Sequence, residues 1–303
     1  MLRLFFILTC LLLTSSCDNS NEILNDPSIP PGIETTEFNN CPNNAPNQHD
    51  GLTLVWVDEF NEILLDESYW NYMYGDGSDY GIPGWGNNEA QRYGDNVNNI
   101  YTANGCLFIV PTFNEATEYE SARINSSKKQ AFHFGRIDVS FSVPEMRGVW
   151  PAIWLLPEEW LYGDWPRSGE IDLMETINTK SDELYTTVHF YDNGHRYVGG
   201  TTYLDQLTKL TNPVDHNVIS LIWNEDSFQW LLNNQLVYEL YFDDLNISPN
   251  PFLDEFHMLL NVAVGGNWPG QPRAEDYCNS RINCEEVKKL IIDYVAYYRE
   301  LEI

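Results

Sequence analysis

From Leu52 onward the chain alternates apolar and polar residues in short runs, which Gly, Pro, Asn and Asp interrupt. A two-residue period is typical of strands with one buried face, whereas long patterns with a helical period are scarce here. The clearest runs are Gly135–Val143, Tyr185–Tyr191, Val218–Trp223, Phe228–Leu232 and Ile291–Tyr298. Many short strands separated by turns predict an all-β fold, a β-jelly-roll sandwich of antiparallel sheets, rather than an α/β fold.

Two short polar segments predict tight hairpins between these strands. Asn224–Ser227 follows the run that ends at Trp223, and Asn233–Asn234 follows the run that ends at Leu232. Asn and Asp favour such turns because their side chains bond the nearby backbone and tolerate a left-handed conformation. No internal repeat is visible. One large domain over residues 51–303 is therefore expected.

The N-terminus has the pattern of an export signal. Arg3 precedes the apolar run Leu4–Leu13, which is short for a membrane span, and small residues follow it. Ser16-Cys17 resembles a bacterial lipobox, which predicts removal of residues 1–16 and lipidation of Cys17 in a cell-envelope lipoprotein. Simple cleavage and secretion is the alternative. Residues 17–50, rich in Asn, Pro, Asp and Ser, predict a flexible linker.

The chain is strongly acidic, with 45 acidic residues, 16 basic residues and a formal net charge of −29. That charge repels nucleic acid and anionic membrane surfaces, so membrane attachment is expected only through the lipid on Cys17. A neutral or cationic partner is favoured, and a role in solubility alone is the alternative.

Four further cysteines, Cys41, Cys106, Cys278 and Cys284, lie in a chain whose export permits disulfides. Four cysteines allow three pairings, among which the sequence does not choose. The absence of a Cys-x-x-Cys or Cys/His cluster argues against metal ligation by these thiols.

The most informative segment is Glu170-Ile-Asp-Leu-Met-Glu175. Alternation directs Glu170 and Asp172 to one strand face, but it would direct Glu175 to the core, an expensive environment for a charge. A β-bulge with one extra residue around Leu173 or Met174 would return Glu175 to the first face. Three adjacent carboxylates raise at least one pKa, as an acid and a nucleophile in glycoside hydrolysis require. A solvated acidic strand face is the alternative.

This segment resembles the signature of glycoside hydrolase family 16 in its bulged form, Glu-x-Asp-x-x-Glu. Further segments resemble those of the family's laminarinases in the expected order, so that the resemblance covers about residues 52–301. These segments are Val55–Phe60, Asn87–Tyr93, Ser121–Ile124, Phe134–Arg136, Gly148–Leu156, Thr187–His189, Val264–Gly270 and Ile292–Val295.

The resemblance implies a jelly roll with a substrate cleft on its concave face and a retaining endo-hydrolase of β-1,3-glucan (laminarin), with β-1,3-1,4-glucan as a further substrate. It implies that Glu170 is the nucleophile, Asp172 an auxiliary acid and Glu175 the acid/base. A same-fold hydrolase of an algal galactan and a non-catalytic β-glucan-binding protein are the alternatives. The expected partner is a neutral polysaccharide, the expected state is a monomer, and no cofactor is expected for catalysis.

Substrate-binding residues follow partly from strand alternation and partly from the resemblance. Trp150 and Trp154 share a strand face, and His189 is expected on the cleft side of its own strand. Core packing of the indoles and a structural role for the histidine are the alternatives. The resemblance favours cleft positions for the two indoles and adds four more residues, namely Asn88, Glu89, Arg123 and Trp268.

A structural Ca²⁺ site is implied by the resemblance alone. Its ligands would be the carbonyl oxygens of Glu59 and Gly105 together with the side chain and carbonyl of Asp293, and such hard oxygen donors suit this cation.

Overall fold

The computed structural model describes residue 41 and residues 44–177, 183–203 and 216–300 of the 303-residue chain. All of them belong to one compact unit that spans residues 35–303. The described strands are, in chain order, β1 (Gln48–His49), β2 (Leu52–Asp58), β3 (Asn71–Tyr72), β4 (Arg92–Tyr93), β5 (Ile100–Ala103), β6 (Cys106–Ile109), β7 (Thr112–Asn114), β8 (Glu118–Ser121), β9 (Arg123–Asn125), β10 (Ala131–Phe132), β11 (Gly135–Ser142), β12 (Val149–Pro157), β13 (Glu170–Glu175), β14 (Glu183–Tyr191), β15 (His195–Tyr203), β16 (Asn217–Trp223), β17 (Ser227–Leu232), β18 (Gln235–Tyr241), β19 (Phe256–Val264) and β20 (Leu290–Arg299).

Two large antiparallel sheets stack on each other. The nine-stranded sheet has the order β1-β2-β20-β11-β16-β17-β18, with β6 also paired to β20 and β5 to β6. The eight-stranded sheet has the order β15-β14-β13-β12-β19-β9-β3, with β10 paired to β19. A small third sheet has the order β4-β8-β7. The predicted all-β sandwich is confirmed, and the strand that carries the three carboxylates lies inside the eight-stranded sheet.

Helical structure is minor in the part of the chain that the structure describes. It consists of one α-helix, Phe242–Leu245, and short 3₁₀ turns at Ser78–Tyr80, Pro83–Gly86, Pro251–Leu253, Ala274–Asp276, Arg281–Asn283 and Glu286–Lys288. None of the described helices is long and apolar enough to cross a membrane.

The core lies between the two large sheets and follows the predicted alternation. From the nine-stranded sheet, Trp223 and Trp230 are almost completely buried, and from the eight-stranded sheet Ile153 and Ile171 meet the same cluster. Burial of such aliphatic and aromatic side chains is the main favourable contribution to folding. The opposite face of the eight-stranded sheet thereby stays available for polar chemistry.

The predicted turns are present. Asn224 accepts backbone hydrogen bonds from Asp226 and Ser227 through its side chain, which closes the β16–β17 hairpin. Asn233 and Asn234 form the two-residue connection between β17 and β18 with φ of 51° and 63°. Asn tolerates this left-handed conformation better than most residues.

Residues before the predicted boundary at residue 51 also belong to the sandwich. Gln48–His49 pairs with β2, and Cys41 is disulfide-bonded to Cys106. The last part of the predicted linker, residues 17–50, is therefore part of the sandwich, because a covalent bond and a strand pairing attach it. The export segment, Cys17 and the rest of the linker lie outside the described residues.

The four cysteines form two disulfides. Cys41 pairs with Cys106, and Cys278 pairs with Cys284 across a sequence separation of 6 residues. The structure thus selects one of the three pairings that the sequence left open.

Candidate active site

The strand β13 brings the three predicted carboxylates to one face of the eight-stranded sheet. Opposite β12, Asp172 pairs with Trp154 and Met174 pairs with Ile153, so Leu173 is an extra residue in the ladder. Leu173 and Met174 are both fully buried in the core. Two consecutive inward side chains are the property of a β-bulge, and this one returns Glu175 to the face of Glu170 and Asp172.

A core tryptophan of the other sheet contacts this bulge. Trp230 lies on β17 with no exposed surface, and its Nε1 donates a 3.1 Å hydrogen bond to the carbonyl oxygen of Asp172. The register with β14 shifts between Asp172 and Glu175. The indole therefore fixes the backbone where the strand departs from regular pairing, and it links the two sheets at the site.

Indole donors hold the two outer carboxylates. Trp150 Nε1 donates a 2.8 Å hydrogen bond to Glu175 Oε1, and Trp165 Nε1 donates a 2.6 Å hydrogen bond to Glu170 Oε2. Each bond fixes the direction of a carboxylate, and each leaves that group's second oxygen available to a ligand.

His189 adjoins the inner pair of carboxylates from the neighbouring strand β14. Its Nε2 lies 3.2 Å from Asp172 Oδ2 and 3.8 Å from Glu170 Oε1. Its Nδ1 lies 2.8 Å from Nε2 of His195 on β15. The predicted cleft-side position of His189 is present, and this ring connects the carboxylates to the outer strand.

The electrostatics of the cluster disfavour full ionisation. Burial is the largest cause that raises the pKa of Glu170 and of Glu175, and the negative charge of Asp172 adds to it at both residues. Burial also raises the pKa of Asp172, whose side chain is only 2% exposed. The cluster therefore retains protons near neutral pH and titrates as a coupled set.

A second set of predicted residues lies on the β9 side of the carboxylates. The guanidinium of buried Arg123 lies 4.7 Å from the ring centroids of both Trp85 and Trp154. Burial lowers the pKa of Arg123, and the charge of nearby Glu89 opposes that shift. Glu89 Oε2 accepts a 2.7 Å hydrogen bond from Gln91.

The remaining predicted residues are Trp268 and Asn88. Trp268 contacts Trp150 edge-on, with ring centroids 5.3 Å apart. Asn88 donates a 2.8 Å hydrogen bond to Asn267, the residue before Trp268. Contacts thus link six of the seven predicted substrate-binding residues to β13, whereas Asn88 is hydrogen-bonded to the residue before Trp268.

Four residues of the site were missed by the sequence reasoning. Asn261 on β19 accepts a 2.8 Å hydrogen bond from Trp154 Nε1, and Tyr185 packs against Trp268 with centroids 5.0 Å apart. Tyr93 bonds both Glu89 and Asn261, and His195 contacts His189. Two of them had a sequence signal, because Asn261 interrupts the apolar strand Phe256–Val264 and Tyr185 shares the strand face of His189 by alternation.

The three residues predicted to bind a metal line one cavity at the nine-stranded sheet, outside the cleft. Glu59, Gly105 and Asp293 share this cavity of about 310 Å³ with Cys41 and three asparagines. A Cβ on Gly105 would lie 3.2 Å from Asn61 Oδ1 and 3.9 Å from the carbonyl oxygen of Glu59. Carbonyl, amide and carboxylate oxygens suit a hard cation, and Cys41 offers no thiolate because it is in a disulfide.

The chain is similar to one family model and to several known proteins. The family model for glycosyl hydrolases family 16 matches residues 86–286. A glucan endo-1,3-beta-glucosidase A1 from Niallia circulans is 34% identical over 271 residues, which are 82% of this chain and 38% of that protein. A beta-glucanase from Rhodothermus marinus is 33% identical over 261 residues, 82% of this chain and 86% of that protein. The chain thus spans well under half of the Niallia protein.

One solved structure illustrates the match in three dimensions. The catalytic domain of an endo-1,3-beta-glucanase (laminarinase) from Thermotoga petrophila superposes with a TM-score of 0.71 at 31% identity. The match covers 83% of this chain and 99% of that domain.

The contact between Trp230 and the bulge leads to a testable expectation. Trp230→Phe keeps an aromatic ring but leaves the buried carbonyl of Asp172 without this donor. The free energy of unfolding should therefore fall by about 1–3 kcal/mol. Trp223→Phe is a matched control, because Trp223 is equally buried and its Nε1 donates to the carbonyl of Phe252. Denaturant unfolding should reveal a similar loss in both variants.

Hydrogen exchange separates the two variants. Amides of Glu170–Glu175 should exchange roughly tenfold faster in Trp230→Phe, while Trp223→Phe leaves them near wild-type protection. Equal protection of β13 in both variants would contradict the role assigned to the Trp230 contact.

Proposed function

The chain belongs to glycoside hydrolase family 16, and on that basis we propose that it is a retaining endo-hydrolase of β-1,3-glucan. Mixed-linkage β-1,3-1,4-glucan is its proposed second substrate. The observation that carries the proposal is the bulged strand on which Glu170 and Glu175 share one face with Asp172 between them. Retention requires two carboxyl groups that flank one glycosidic bond, one as nucleophile and one as acid.

In the proposed reaction, Glu170 attacks the anomeric carbon while the bond to the leaving sugar breaks. Glu175 gives its proton to the leaving oxygen, and the glycosyl group is then bonded to Glu170. Water then attacks the anomeric carbon and the bond from that carbon to the Glu170 oxygen breaks, while Glu175 accepts a proton from the water and Glu170 leaves as a carboxylate.

The surroundings of each carboxylate support these roles. Burial and the charge of Asp172 raise the pKa of Glu175, which favours the protonated form that an acid needs. Activity should therefore fall as the pH rises through this raised pKa. Glu170 also has a raised pKa, but it accepts an indole hydrogen bond and lies 3.8 Å from His189, and both favour its ionised form. Asp172, between the two, couples their titrations.

The β9 side of the cleft supports a neutral sugar ligand. Trp154 offers an aromatic face, and Glu89 and Arg123 offer hydrogen-bonding groups. The buried Nε of Arg123 has no hydrogen-bond partner among the described residues, and a sugar hydroxyl would satisfy it. We therefore assign this side to the glycone, the sugar that becomes bonded to Glu170.

The substrate and mechanism can be tested together. Laminarin, mixed-linkage glucan and agarose are offered to the wild-type protein, and we expect short oligosaccharides from the first two, released initially as the β-anomer by NMR. Glu170→Ala and Glu175→Ala should each lose at least a hundredfold in activity on laminarin. Glu225→Ala, at an exposed hairpin residue, is the control and should keep wild-type activity.

Azide distinguishes the two roles. With an activated aryl glycoside, Glu170→Ala should give an α-glycosyl azide and Glu175→Ala a β-glycosyl azide, because azide replaces the nucleophile in the first variant and water in the second. Initial release of the α-anomer by the wild-type protein would exclude retention, and cleavage of agarose alone would exclude the proposed substrate.

We also propose that the cavity of Glu59, Gly105 and Asp293 binds a structural Ca²⁺. At a concentration one hundred times its dissociation constant, Ca²⁺ should raise the melting temperature by roughly 5–10 °C, since it binds only the folded state. Asp293→Asn should abolish the shift, and Mg²⁺ should not reproduce it. An identical calcium shift in Asp293→Asn would contradict this site.

Export and lipid attachment at Cys17 are proposed as well, with secretion after simple cleavage as the alternative. Two disulfides support an oxidising compartment. Radiolabelled palmitate should enter the wild-type protein in bacterial cells and should not enter Cys17→Ser. Equal labelling of both forms, or of neither, would contradict the anchor.

A further inference from the structure

The eight-stranded sheet continues past β13 into the β14–β15 hairpin, which supplies Tyr185, His189 and His195 to the site. On β14 the odd-numbered residues are less buried than the even-numbered ones, and on β15 the odd-numbered residues are exposed. His189 on β14 faces the carboxylates, so the other odd-numbered residues share its face of the sheet. This hairpin therefore extends the cleft floor beyond the carboxylates.

The cross-strand neighbours of Asp172 on β14 and β15 form a row that runs outward from the centre of the site. Asp172 pairs with Thr187, and Thr187 pairs with Gly199 on β15. Gly199 lies so close to β14 that a Cβ there would be 2.0 Å from the carbonyl oxygen of Thr186. This row ends at Gly199, which has no side chain and lies two strands from Asp172, roughly 10 Å across the sheet.

Aromatic rings border this row on the side of Glu170. Tyr197 is 71% exposed, the largest exposed fraction among the large hydrophobic side chains of the described residues. Its ring centroid lies 5.9 Å from that of His189 and 6.0 Å from that of His195. Trp165, which bonds Glu170, lies 4.6 Å from His195. A continuous set of rings thus leads from the carboxylates to Tyr197.

A second border lies on the side of Glu175. Tyr185 pairs with Glu175 across the ladder and packs against Trp268. Thr201 pairs with Tyr185 on the next strand and adds a hydroxyl. The surface between the two borders has a polar floor and aromatic edges, which fits the C–H faces and hydroxyls of a neutral sugar.

We propose that Tyr197 on the β14–β15 hairpin is the residue that determines where a chain is cut, because its ring stacks on the sugars beyond the cleaved bond. This assignment rests on the proposed function, in which the β9 side holds the glycone. A chain that lies along the sheet from that side and over the carboxylates continues onto β14 and β15. The proposed acid, Glu175, is paired with Tyr185 of this hairpin, so the leaving sugar departs over it.

The test uses laminarihexaose labelled with ¹⁸O at its reducing end, because the position of the cut bond reports how many sugars occupy each side. Tyr197→Ala should move cleavage toward the reducing end and lower kcat/KM by roughly threefold to tenfold. Tyr197→Phe keeps the ring and should retain the wild-type pattern. Tyr241→Ala removes an exposed tyrosine from the other sheet and serves as the control.

A second readout follows transfer to an added sugar. Laminaribiose competes with water for the glycosyl group on Glu170, and Tyr197→Ala should give severalfold less transfer product than the wild-type protein at equal acceptor concentration. Wild-type turnover with an unchanged cleavage pattern and transfer ratio in Tyr197→Ala would overturn the role of Tyr197 alone. No wild-type turnover of the hexasaccharide would overturn the proposed function with it.

Discussion

The site depends on the β-bulge at Leu173, because a regular strand would turn Glu175 into the hydrophobic core. The bulge has two supports on the core side. Leu173 and Met174 are both completely buried, and Trp230 of the opposite sheet bonds the carbonyl of Asp172. Packing between the sheets therefore determines where the carboxylates point. The contact between Trp230 and Asp172 thus contributes both to the stability of the sandwich and to the positions of the carboxylates.

That arrangement concentrates three acidic groups in a protein whose net charge is already −29. Burial raises the pKa of all three groups, and the charge of Asp172 raises it further at Glu170 and Glu175, so the cluster holds protons that isolated carboxylates would release. Among the described residues, the polar partners of these side chains are the indole donors at Glu170 and Glu175 and the ring of His189. The two indoles are uncharged, so they orient Glu170 and Glu175 without neutralising them, as an acid and a nucleophile within one cluster require.

The surroundings of the cluster are asymmetric. Toward β9 lie Arg123 and the indoles on either side of it, with Glu89 nearby, a set of groups suited to directional hydrogen bonds. Toward β15 lie Tyr197 and a glycine floor, which offer stacking and little charge. Such a division suits the hydrolysis of a polysaccharide. The sugar that reacts must be held in a defined orientation, whereas the leaving part must bind loosely enough to depart.

The sequence by itself determined the fold class, the hairpins at Asn224 and Asn233–Asn234, and the face shared by Glu170 and Asp172, because alternation and turn chemistry are local properties. It also required a bulge before Glu175, since a buried charge is costly. The tertiary structure alone decided which disulfides form, that residues 48–49 join the sheet, and that Asn261, Tyr185, Tyr93 and His195 complete the site. Those features depend on which strands become neighbours, and strand order is set by the packing of the whole sandwich.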